Sequence, residues 1–211
     1  MEIEIPMRFL PAAVVQATLL SLLAGATGFA QETPVPTPSP GAVSISGVSP
    51  ERFNPTHGTA FFRVSGAFFP ADPRDVAVII DDRQLPAGRL AVSRRVVAAS
   101  YVMSPGRNSM TLRAWDAAGQ VLTAQTQVWA GDLTLEVEIA DGLGNPMDGV
   151  EVTASLSAAP SVRSTVFGTD GRVEFVNLPD AEILLEARHP TGLHASAIVR
   201  ASERRTGLVL R

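Results

Sequence analysis

Catalysis and metal binding need particular side chains at particular spacings, and this chain offers few. Its three histidines are His57, His189 and His194. His189 and His194 flank Pro190-Thr191-Gly192-Leu193, a hairpin-turn sequence, so two imidazoles could face one another across the turn. Zinc takes three or four ligands, and no third histidine or carboxylate stands at ligand spacing, so the pair reads as solvated turn residues. His57, in Asn54-Pro55-Thr56-His57-Gly58, reads as a loop residue. Asp81-Asp82 follows the apolar run Val76–Ile80 and precedes Arg83. Adjacent carboxylates suit an oxygen-liganded calcium ion, but with no spaced Asp/Asn loop or third acid the reading is a β-turn. Glu182 and Glu186 form the remaining carboxylate pair. Their even spacing on a strand puts both on the solvated face opposite Ile183 and Leu185.

The missing residue types exclude more. The chain has no Cys, and all 17 basic residues are Arg. Schiff-base and lysine general-base chemistry are therefore ruled out, as are disulfides, thiol nucleophiles and lysine isopeptide cross-links. No Gly-x-Ser-x-Gly elbow, His-Glu-x-x-His helix or Walker loop occurs. The expectation is a protein without catalytic residues, metal or cofactor. A net charge of −4 gives nucleic acid no basic face to bind.

Aromatic side chains are the other candidates, because exposed Trp and Tyr rings stack on sugars. Trp115, Trp129 and Tyr101 are the chain's Trp and Tyr residues, and they form the possible ligand face. Trp115 and Trp129 fall on the polar phase of adjacent strands, where cross-strand pairing would give them one exposed face. The alternative is packing under a loop or against the second half of the chain.

The elements that must position these residues are strands. Over 43–131 the pattern predicts Val43–Val48, Ala60–Ser65, Val76–Ile80, Leu90–Ser93, Val96–Met103, Ser109–Trp115 and Val121–Trp129. The last two alternate apolar and polar residues around Asp116-Ala117-Ala118-Gly119, the mark of a half-buried antiparallel hairpin. Seven short strands in under 100 residues predict a sandwich. Gly106-Arg107-Asn108, the strand to Trp115 and the Asp116–Gly119 turn together resemble the closing hairpin of bacterial immunoglobulin-like extracellular domains. Phe61-Phe62 and Phe68-Phe69 are each expected to supply a core residue.

Over 132–211 the alternation restarts with Leu133, Leu135, Val137 and Ile139. It continues through Val150–Leu156, Val173 and Phe175, Ile183–Ala187, Ala195–Val199 and Gly207–Leu210. Two Asp-Gly turn segments punctuate it: Asp141-Gly142-Leu143-Gly144-Asn145-Pro146-Met147-Asp148-Gly149-Val150, and Thr169-Asp170-Gly171 running on to Asn177-Leu178-Pro179. In order and spacing these motifs resemble the carboxypeptidase regulatory-like family, within the transthyretin-like and Cna-B-like sandwiches. The resemblance implies a prealbumin-type, non-catalytic module whose topology is shared with starch-binding domains. The chain departs from the cross-linked Cna-B pattern in lacking Lys, and from transthyretin-like hydrolases in lacking a Tyr-Arg-Gly-Ser tail.

Arg8, the apolar run from Phe9 to Ala26 and the small residues Gly28 and Ala30 predict a signal peptide over 1–30, cut before Gln31. The alternative is an uncleaved anchor over Phe9–Ala30. Glu2 and Glu4 are foreign to a basic n-region, so Met7 competes with Met1 as the start. Cleavage would take the net charge to −3. Residues 31–42 carry proline at every second position from Pro34 to Pro40, which predicts an extended spacer. The expected whole is all-β: two tandem antiparallel sandwiches, at 43–131 and 132–211, behind a signal and spacer. The expected protein is bacterial and exported, whether periplasmic, cell-surface or secreted. Its expected partner is another envelope protein or a polysaccharide, with no nucleic acid and no membrane span once the signal is removed. A carbohydrate-binding module and a transthyretin-like hydrolase are the alternatives.

Overall fold

Period-two alternation sends every second side chain of a strand to one face, and two such faces closing on each other make a core. This happens twice here. The computed structural model describes residues 42–65, 73–93, 95–115 and 119–211. The predicted signal peptide, residues 31–41 of the spacer, Phe68-Phe69 and Asp116–Ala118 of the hairpin turn lie outside them. Among the described residues no helix is long and apolar enough to cross a membrane.

Among its described residues the first sandwich has nine strands: β1 (Ala42–Ser46), β2 (Phe53–Pro55), β3 (His57–Ser65), β4 (Val76–Ile80), β5 (Arg83–Gln84), β6 (Leu90–Ser93), β7 (Val96–Val102), β8 (Gly106–Trp115) and β9 (Val121–Gly131). One sheet runs β1-β3-β7-β6 and the other β2-β9-β8-β4-β5. Lettering the long strands in chain order gives A-B-E-D against C-F-G, the immunoglobulin arrangement. Phe62, Val78, Val97, Met110 and Leu112 fill the space between the sheets. Asn108 is buried beside them; its amide nitrogen donates to the carbonyls of Ser104 and Gly106, each at 2.9 Å.

The second sandwich has seven: β10 (Leu133–Ala140), β11 (Glu151–Leu156), β12 (Ala159–Phe167), β13 (Arg172–Leu178), β14 (Glu182–Arg188), β15 (His194–Arg200) and β16 (Arg205–Val209). Its sheets run β13-β10-β16 and β12-β11-β14-β15. That order differs from the first sandwich, so the halves are not repeats of one unit. Leu135, Ile139, Leu156, Phe175, Ile183 and Leu185 form its core.

Four features differ from the sequence reading. The sheets are not wholly antiparallel: β2 pairs parallel to β9, and β10 parallel to β16. The short strands β2 and β5 carry too few residues for alternation to register. Strand β12 was not expected, because it is an edge strand with Val162 as its only fully buried residue, and Pro160 sits where only an edge tolerates it. His57 is not in a loop but opens β3 opposite Val102.

Candidate functional site

Asp132 alone separates β9 from β10, so the two sandwiches meet at once. The short segment Glu51-Arg52-Phe53 fills the junction. Buried Asn54 holds it: its side-chain carbonyl accepts from the Ser49 amide at 2.9 Å. Its amide donates to the carbonyls of Ser49 and Arg52 and reaches that of Trp129 at 3.1 Å. Phe53 pairs with Trp129, and both rings pack against the core of the second sandwich.

The second sandwich meets this segment with the Asn177-Leu178-Pro179 motif. Asn177 has φ +61°, a left-handed conformation that Asn adopts more readily than most residues. It lies in a bulge, since Leu135 faces Phe175 while Leu133 faces Leu178. Phe175 and Leu178 differ in parity, yet both are buried because the bulge re-aims the strand. The carbonyl group of Leu178 then comes so near Gly131 that a Cβ there would lie 2.0 Å from it. A backbone hydrogen bond from Arg163 to the Glu51 carbonyl, 3.0 Å, ties edge strand β12 to the same segment.

Beside this junction lies a polar cleft of about 620 Å³, lined by Glu51, Arg52, Ser161, Arg163, Ser164 and Thr165. A second hollow of about 300 Å³ continues it over the outer face of β12, β11 and β14. The two meet at Arg163 and Thr165. Register sets the rows of this face: Arg163 beside Ser155, then Thr165-Thr153-Glu186, then Phe167-Glu151-Arg188. The hydroxyls of Thr153 and Thr165 are 2.9 Å apart. Phe167, 66% exposed, stands just past the lining residues, opposite Glu151 in the register.

Four charges on the other outer face of this sandwich are paired. Glu136 accepts from Arg205 at 2.8 Å, and Arg172 approaches Glu136 and Glu138 at 3.9 and 3.7 Å. The Arg205 hydrogen bond holds the Glu136 carboxyl below its ordinary range, and Arg172 adds to the effect. In the groove, no ion pair joins Arg52, Arg163 or Arg188 to a described residue.

The turn motifs are structural. Asp141 accepts from the amides of Leu143 and Asn145, at 2.8 and 2.9 Å, and from the Asn145 side chain at 3.0 Å. These bonds, led by that from the Asn145 side chain, push its carboxyl below the usual value. Asp170 and Gly171 take φ +52° and +68°, the backbone of a two-residue hairpin turn between Thr169 and Arg172. Gly171 lies against Pro146, so the two Asp-Gly segments touch. Asp81 and Asp82 form a similar turn, with φ +44° and +65°, and Asp81 accepts from the Ser109 amide at 2.7 Å.

The candidate ligand face divides. Trp115 and Trp129 do share the outer face of the β8–β9 hairpin, but Trp115 pairs with Val121 while Trp129 pairs with Arg107. Eight strand positions, about 27 Å, separate the two rows, and Trp129 is engaged at the junction. Tyr101 does not belong to that face. It lies in the opposite sheet and is 2% exposed, because odd positions of β7 point inward. Its ring covers Gly58, and burial raises its hydroxyl pKa. Trp115 is thus the one candidate ring left half-exposed and away from the junction.

His189 hydrogen-bonds the Thr191 hydroxyl at 2.6 Å inside its own turn. Among the described residues no three His, Asp or Glu side chains cluster as metal ligands do. Glu182 and Glu186 are exposed, as their phase requires. Sequence reasoning missed the groove, although Val162-Arg163-Ser164-Thr165-Val166-Phe167 carried the alternation that could have revealed β12.

No family profile matches the chain, and no curated protein is similar to it. Solved structures are similar at low identity. BcpA, the major pilin subunit of Bacillus cereus, is 13% identical over 82% of this chain and 69% of that one, with a TM-score of 0.30. The group B streptococcus pilus 2b backbone protein is 10% identical over 78% and 95%, with a TM-score of 0.30. Gamma-CGTase from Alkalophilic bacillus clarkii is 13% identical over 81% and 28%, with a TM-score of 0.34. Likenesses this distant decide nothing about activity; the strand order and the junction describe this chain.

Proposed function

We propose that this is an exported, non-catalytic binding and scaffold protein of the bacterial cell envelope. In this reading residues 1–30 direct export and 31–42 space the folded part from its attachment. The sandwiches at 43–131 and 132–211 then present a surface to another envelope protein or a polysaccharide. The interlocked junction carries the reading. Phe53 and Trp129 pack against the second core, Gly131 touches Leu178, and one residue connects the halves. Such a junction holds the two sandwiches at a set spacing, which is what a scaffold needs. Glu186, Arg188, His189 and His194 line one open hollow, in which His189 is held by its own turn through Thr191.

Cell fractionation with mass spectrometry tests the reading. The expected species lies outside the cytoplasm and begins at Gln31. Retention in the cytoplasm with residues 1–30 intact would overturn it. A screen against cyclic ureides and esters tests the hydrolase alternative: turnover lost in His189→Ala or His194→Ala would replace the scaffold reading.

A further inference from the structure

We infer that the groove running from Arg52 past Arg163 to Phe167 binds a neutral glycan chain. The inference rests on the binding-protein reading above and names its ligand. Three observations carry it. The groove is concave where the two sandwiches meet, the kind of place where ligand sites occur. Among the described residues its charged groups have no ion-pair partner, and they are of both signs: Arg52, Arg163 and Arg188 against Glu51, Glu151 and Glu186. On the opposite face of the same sandwich Glu136 and Glu138 are paired with Arg172 and Arg205, so charges on these strands can pair closely, and those in the groove do not.

A surface that donates and accepts in equal measure suits a ligand that does both. Sugar hydroxyls do: each donates to a carboxylate and accepts from a guanidinium, as the Thr153 and Thr165 hydroxyls in the groove also permit. A polyanion would meet the three Glu carboxylates and a polycation the three guanidinia. The exposed Phe167 ring lies in the same row as Glu151 and Arg188 and offers an apolar face for a sugar ring. From Ser161 to Phe167 the strand covers about 20 Å, enough for several sugar units. A peptide would dock by adding a strand to the edge of β12, but the Arg163 amide there already donates to Glu51.

Affinity electrophoresis of the full-length protein through gels containing glycogen, xyloglucan, galactomannan or β-glucan tests this, with polygalacturonate as the anionic arm. Retardation is expected by at least one neutral polymer. Arg163→Ala should weaken it about tenfold, the loss that goes with one charge-assisted contact, and Phe167→Ala about tenfold through the apolar contact it removes. Trp115→Ala should leave it unchanged. Both groove variants alter exposed side chains, and thermal melting confirms that they fold. No retardation by any neutral polymer overturns the inference. So does retardation by polygalacturonate alone, retardation lost only in Trp115→Ala, or capture of a library peptide that depends on Arg163. If the protein is exported and cross-links to an envelope protein without retaining any glycan, the groove inference fails while the scaffold reading stands.

Discussion

The backbone of Gly131 lies against the carbonyl group of Leu178, with no room between them for a side chain. One glycine at the end of the first sandwich thus meets the motif that closes β13 in the second. A Cβ on residue 131 would lie 2.0 Å from the Leu178 carbonyl carbon and 2.3 Å from the Pro179 nitrogen, both backbone atoms that cannot rotate away. Gly131→Ala is expected to cost about 3 kcal/mol. That corresponds to a fall in Tm of between about 6 and 12 °C for a folded region of this size. Differential scanning calorimetry checks it. A Tm unchanged by the substitution would mean that the two sandwiches do not meet here.

Trp129 and Trp115 separate the junction from the rest of the surface. Trp129→Ala removes a half-buried ring packed against the second core and should cost roughly 2–3 kcal/mol. Trp115→Ala should cost about 1 kcal/mol or less. Fluorescence distinguishes the two rings independently. With Trp115 replaced by Phe, emission from Trp129 should be blue-shifted, and it should move to the red when Asn54→Ala releases β2. That Asn54 change should itself destabilise by about 2 kcal/mol, because it strips the partners from buried backbone groups. Chemical denaturation and emission maxima provide the measurements.

Gly171 and Gly192 both have positive φ, +68° and +94°, but different surroundings. At Gly192 nothing lies within 4 Å of an added Cβ, whereas at Gly171 the Pro146 Cβ would lie at 2.6 Å and the Ile139 carbonyl oxygen at 2.9 Å. Gly192→Ala should therefore cost only the backbone strain, about 1–2 kcal/mol. Gly171→Ala should cost about 2 kcal/mol more. Equal effects in urea denaturation would show that the two Asp-Gly segments are not packed together.

The folded state lowers the pKa of Glu136, chiefly through its hydrogen bond from Arg205. A depressed carboxylate pKa stabilises the fold above the unfolded-state pKa and loses that contribution as pH falls through the folded-state value. The acid limb of a Tm–pH curve should accordingly steepen between about pH 5 and pH 3. In Glu136→Gln this part of the slope should shrink while the rest of the curve is kept. Because the pair is exposed, 0.5 M salt should also reduce it. A slope that survives both changes would assign the acid response to other carboxylates.

By itself the sequence determined what local chemistry can determine. Short apolar runs bounded by turn residues placed Val76–Ile80 and Leu90–Ser93 at their observed bounds, and the Asp170-Gly171 pair marked a two-residue turn. These follow from neighbours along one strand, where side-chain period and left-handed φ leave a signature in a few residues. The tertiary structure alone decided which faces meet. Asn54 reaches the carbonyl of Trp129 across 75 positions, and Glu51 reaches Arg163 from the other sandwich. Likewise, Trp115 and Trp129 have the same phase, but only the hairpin register shows them to be eight positions apart. The alternation of Val162–Phe167 could mark β12 as a strand, but only its pairing with β11 sets Arg163 beside Ser155 and Phe167 beside Glu151.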